Sequence, residues 1–106
     1  MHLSQSDFEI FQRENLECFQ MASEALAHSR EPYPVGVLYR EHQTQTVKMI
    51  VVNLEAQVGA VRVFIGPEDR PIDESTFSLS ENKTVDAKTL MDRTIRLILW
   101  NRDKIA

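Results

Sequence analysis

The chain has 106 residues, 42% hydrophobic and 26% charged, with three glycines and four prolines. That length suits a single domain over residues 1–106, and the composition is that of an ordinary globular protein rather than a disordered one. The formal net charge of −4 is too small for a strong DNA mimic and of the wrong sign for a general nucleic-acid binder.

Cys18 is the one cysteine, so no intrachain disulfide can form. A small domain without staples belongs in a reducing compartment, and the expectation is a cytoplasmic protein. No apolar run approaches the roughly 20 residues that span a bilayer. Residues 1–11 carry neither the basic n-region nor the apolar h-region of a signal peptide.

Charge is unevenly spread. Residues 1–31 hold six acids and two bases, and residues 83–106 hold six bases and three acids. Solvated helix faces account for such a split, and so does pairing between an acidic and a basic segment, within one chain or between two.

Ser6 with Glu9 has the form of a capping box. A helix is predicted from there to about Ser29, since Pro32 and Pro34 oppose continuation. At 100° per residue Phe8, Phe11, Cys18, Phe19, Ala22, Ala25 and Leu26 fall on one arc, the expected core face. Asn15 sits inside that arc and needs a buried hydrogen-bond partner. Cys18 reads as a small core residue.

The period then changes. Strands are predicted over 35–40, 46–54 and 58–65, joined by short polar connections, with a further short strand over 76–79. The first of these carries one charge, so its edge is open to pairing with another chain. Positions Lys48, Ile50, Val52, Leu54 and positions Val47, Met49, Val51 form the two faces of the second strand. Both are largely apolar, so both faces of the sheet need cover, from two helices or from a helix layer and a partner. Residues 66–71, with two prolines and three charges, read as an exposed loop. Thr84 is the expected N-cap of a last helix over 85–103.

The fold class is therefore α+β: an N-terminal helix, a three- or four-stranded antiparallel meander and a C-terminal helix. The predicted core comprises Phe8, Phe11, Phe19, Leu26, Ile50, Val52, Val63, Leu90, Ile98 and Ile105.

Chemistry is hard to find. His2, His28 and His42 are scattered, and one cysteine does not complete a metal site. No nucleophile elbow, P-loop or dinucleotide fingerprint is present, so no cofactor is predicted. Glu68, Asp69, Asp73 and Glu74 around Arg70 could divide acid and base roles only in a desolvated cleft, and a Pro-bearing loop predicts solvated charges instead.

The layout resembles small bacterial secretion chaperones, toxin-immunity proteins and phage-borne inhibitors in architecture alone, without a shared motif. The expectation is a non-enzymatic protein-interaction module of adaptor, chaperone, immunity or inhibitor type, binding another protein and forming a homodimer. Two alternatives stand beside it. One is a small-molecule binder or enzyme with a pocket between sheet and helix, near Asn15, Tyr33 or Tyr39. The other is nucleic-acid binding through the basic last helix.

The candidate partner-binding residues are Arg93, Arg96 and Trp100. They fall outside the arc of Ala87, Leu90, Met91, Ile95, Leu97 and Ile98, with Thr89 among them. Arg96 and Trp100 are four residues apart, close enough for the guanidinium to reach the indole. Trp and Arg together are the composition of binding hot spots. The competing expectation is a helix that bends near Asn101 and tucks Trp100 under the sheet edge.

Overall fold

The computed structural model describes residues 4–26, 28–29, 31–39, 46–55, 58–66, 69–79 and 85–105, and for Tyr39 and residues 46–55 it describes the backbone path alone. His2, His42, Glu68 and Thr84 lie outside the described residues, as do the side chains of Ile50 and Val52. The class is α+β, with an N-terminal helix, an antiparallel sheet and C-terminal helices.

The first helix, α1, spans Gln5–Leu26. Its cap is Ser4, not Ser6. Ser4 Oγ accepts the Asp7 N–H at 3.2 Å, and the Asp7 carboxylate accepts the Ser4 N–H at 2.7 Å. This is a capping box closed by aspartate, and the shorter acid serves because Asp7 occupies the same third helical position. The helix stops short of Ser29. The His28 and Ser29 N–H groups both turn back to the Ala25 carbonyl, at 3.0 and 2.8 Å, which closes the last turn before Pro32.

The strands are β1 (Tyr33–Tyr39), β2 (Thr46–Glu55), β3 (Val58–Ile65) and β4 (Asp73–Ser78). Neighbours pair antiparallel in the order β1-β2-β3-β4. β1 begins two residues before the predicted start and contains Pro34. A proline is tolerated there because β1 is an edge strand, where a missing N–H need not break a ladder on both sides, and the register shifts just after it, between Pro34 and Gly36. β4 also begins early. Asp73 and Glu74, assigned above to a solvated charge cluster, are strand residues.

The last predicted helix is two. α2 spans Ala87–Trp100 and α3 spans Arg102–Ile105. Asp86 is the N-cap, its carboxylate accepting the Thr89 N–H at 2.8 Å. An aspartate here satisfies an orphan amide and places negative charge at the positive end of the helix dipole.

α1 packs against β1, and α2 against β3 and β4, while the two helices touch each other. Both therefore lie on one face of the sheet. One core joins Phe8, Phe11, Phe19, Ala22 and Leu26 of α1 to Val35, Leu38, Val61, Val63 and Phe77 of the sheet. Leu90, Met91, Leu97, Ile98 and Ile105 complete it. Every expected core residue whose side chain is described is buried. Cys18 is the correction. It sits at the margin of the arc and is half-buried.

The helices run antiparallel. Ser23 Oγ donates to the Val85 carbonyl at 2.5 Å, which ties the start of α2 to the C-terminal part of α1. At the other end, Asn101 reaches Asp73 at the start of β4. On β3, Val61 and Val63 face the helices, whereas Val58, Ala60, Arg62 and Phe64 belong to the opposite face. No described helix covers that second face.

Candidate functional site

The outer edge of β1 is occupied at Val37. Asn15 is 9% exposed, and its side-chain amide donates to the Phe11 carbonyl at 2.9 Å. It also donates to the Val37 carbonyl and accepts the Val37 N–H, each at 3.4 Å. One side chain thus does for Val37 what a neighbouring strand would do. The expectation that this edge is free for pairing with another chain is overturned at Val37, because α1 already occupies it. The fit is tight: a Cβ built on Gly36 would sit 2.7 Å from Phe11 Cε2.

A groove beside this contact is lined by Asp7, Ile10, Phe11, Glu14, Val37 and Leu38 and holds about 250 Å3 even counting space open to solvent. Ligand pockets of drug size enclose roughly 300–1,000 Å3 and bury their occupant.

Asp73 and Glu74 are both engaged. Asn101 Nδ2 donates to Asp73 Oδ2 at 2.7 Å, and the Glu74 N–H donates to Asp73 Oδ1 at 2.8 Å. These bonds, the Asn101 one first, hold the Asp73 carboxyl below its ordinary value. Glu74 pairs with Arg62 across the strands at 2.6 Å. Glu31 and His28 are exposed and far from forming a ligand set. Among the described residues no three of His, Cys, Asp and Glu converge as a metal site would require. No described helix is long and apolar enough to cross a membrane.

The candidate residues Arg93, Arg96 and Trp100 share one stripe of α2, and their roles divide. Arg93 is half-buried, with its guanidinium over the Phe77 ring at 5.3 Å. Phe77 in turn lies across Gly59, where a Cβ would come within 2.6 Å of the ring. Arg93 is thus the outer layer of a stack that fastens α2 to β4.

Arg96 is exposed and Trp100 is 84% exposed. Neither side chain makes a hydrogen bond, ion pair or ring contact among the described residues, and the expected reach of Arg96 to the indole is not made. The helix does break at Asn101, but Trp100 is not tucked under the sheet. Asn101 takes the buried direction instead, its side chain donating to the Leu97 carbonyl at 2.8 Å as well as to Asp73. Trp100, one residue earlier, points to solvent.

Sequence reasoning missed four further exposed apolar residues of the helix layer. Ile10, Leu16, Met21 and Leu99 are 40–50% exposed, and together with Trp100 they are the exposed large apolar side chains among the described residues. All five belong to α1 and α2. The signal was in the periodicity, because at 100° per residue Ile10, Leu16 and Met21 fall outside the core arc of α1.

Searches of protein-family models, of curated proteins and of solved structures find no match to the chain.

Proposed function

We propose that the chain is a non-enzymatic protein-interaction module. In this reading it is one cytoplasmic domain over residues 1–106, in which β1 to β4 run as a meander behind two helices. The outer surface of those helices binds another protein, a second copy included.

One observation carries the reading: Trp100 is 84% exposed on regular, well-capped helix, beside exposed Arg96 and Leu99. Leaving an indole in water forfeits the burial of a large apolar area. Trp and Arg are also the side chains most often found to dominate interfaces. The helix places Trp100 on the surface, whereas Asn101 and Ile105 fill the space beneath.

Replacing Trp100 with Ala tests this. The expected result is stability within about 0.5 kcal/mol of the native chain, as for other surface substitutions, together with loss of self-association or of binding to a protein partner isolated with the native chain. A destabilisation of several kcal/mol with association unchanged would make Trp100 a structural residue and remove the proposal.

A further inference from the structure

Resting on the reading of Trp100 as a contact residue, we infer that the occupant of this surface is a second copy of the chain, packed helix layer on helix layer. Each acidic α1 lies on the partner's basic α2.

Charge divides the two helices. α1 carries Asp7, Glu9, Glu14, Glu17 and Glu24 against Arg13 alone. α2 and α3 carry Lys88, Arg93, Arg96, Arg102 and Lys104 against Asp92 and Asp103. The two helices touch within the chain, yet no ion pair joins them. The one ion pair among the described residues is Arg62–Glu74, in the sheet. The outward charges of both helices are left facing solvent.

The antiparallel layer then selects a symmetry. A two-fold axis running along the helices, between them, sets each α1 on the partner's α2 and opposes unlike charges. An axis across the helices sets α1 on α1 and α2 on α2, with like charges opposed. The first is the favourable self-complementary solution.

The same axis matches the apolar groups. Ile10 lies near the N-terminal end of α1 on its β1 flank, beside Val37. Trp100 lies at the C-terminal end of α2, two turns beyond Arg93, which packs on Phe77 of β4. In the antiparallel pair these are the same end of the layer, and the rotation superposes the two outer flanks. Trp100 of one copy therefore meets Ile10 of the other, with Leu16 and Leu99 nearer the seam between the helices.

Size is sufficient. A layer two helices wide, roughly 20 Å by 25 Å, offers about 500 Å2 per copy and about 1,000 Å2 in total, the lower bound for a specific interface. That area places the contact at the small end of specific interfaces, and association is sought in the micromolar range.

Charge exchange tests the assignment by sedimentation equilibrium. One variant carries Glu17→Lys and Glu24→Lys, the other Lys88→Glu and Arg96→Glu. All four residues are exposed, and Arg93 is spared because it fastens α2. Each variant alone is expected to associate at least tenfold more weakly than the native chain. An equimolar mixture is expected to restore the dimer, since both helix pairs are then complementary again. Circular dichroism checks that each is folded, and should a double variant unfold, Glu17→Lys and Arg96→Glu singly carry the same comparison. A native chain that stays monomeric at 12.3 kDa up to about 100 μM overturns the second-copy assignment while leaving Trp100 as a contact for a different protein. A dimer that persists in both variants overturns it as well, and places the interface elsewhere, such as on the sheet face opposite the helices.

Discussion

Asn15 is the residue on which the β1 side of the fold turns. Its amide occupies the strand edge at Val37, and a truncation removes one buried and two part-buried hydrogen bonds at once. Asn15→Ala should cost about 1–3 kcal/mol, the usual penalty for stranding buried polar groups. It should also make the chain prone to edge pairing, read as concentration-dependent light scattering. Gly36→Ala should destabilise by a similar amount, because the added carbon meets the Phe11 ring and cannot be accommodated without a shift of that ring or of α1. Chemical denaturation of both variants checks these values. A neutral result for Gly36→Ala would mean that α1 is not seated as closely on β1 as described.

Two carboxylates contribute to the acid limb of stability at the same scale. The Asn101 amide holds the Asp73 pKa below 3.8, and the Thr89 N–H does so for Asp86. Each folded value lies under the unfolded one, so the stabilisation is fully present above the ordinary carboxylate value and is lost as pH falls through the folded values. Asp73→Asn should accordingly flatten the decline in stability below about pH 4. An unchanged acid limb in that variant would show that the Asn101 bond contributes nothing to it.

At the scale of elements, Phe19 anchors α1. Its ring is fully buried and meets Phe11 edge-on at 5.9 Å between centroids. Phe19→Ala should cost about 3–5 kcal/mol, as aromatic truncations in cores do, and a loss below about 1 kcal/mol by urea titration would contradict the docking of α1. Helices and strands were legible in outline because their periodicities are strong, and the buried stripe of α1 falls where the arc of Phe8, Phe11 and Phe19 put it. Boundaries were not, for local reasons. Ser4 with Asp7 outcompetes Ser6 with Glu9 as a capping box, and an edge strand accepts Pro34. The break at Asn101, expected only in the reading that buried Trp100, coincides with a long-range bond from Asn101 to Asp73 that sequence periodicity does not carry. The site was half legible. The wheel put Trp100 and Arg96 outside the apolar arc, and there they are. It could not reveal that Arg93 is committed to Phe77, a strand residue 16 positions away.

For the molecule as a whole, two helices on one sheet face leave distinct surfaces with different characters. The sheet face opposite the helices carries the Arg62–Glu74 pair. The helix layer carries the exposed indole, four further exposed apolar side chains and an acid–base division between its halves. That division is also why salt should matter. Screening shortens to roughly 3 Å at 1 M, so association through the helix layer should weaken as salt rises, whereas a purely apolar interface would hold or tighten. Sedimentation at 0.05 and 1 M sodium chloride separates the two.

Trp100 is the one tryptophan in the chain, so its fluorescence reports the proposed interface without labelling. The decisive measurement is its emission maximum across protein concentration, from about 0.1 to 100 μM, the range that brackets a micromolar dimer. The dilute chain should show the red emission of a solvated indole, with a progressive blue shift as association proceeds that is absent in the Arg96→Glu, Lys88→Glu variant. A blue emission already present at the lowest concentration and unchanged by dilution, with a monomer mass, would contradict the proposed interface.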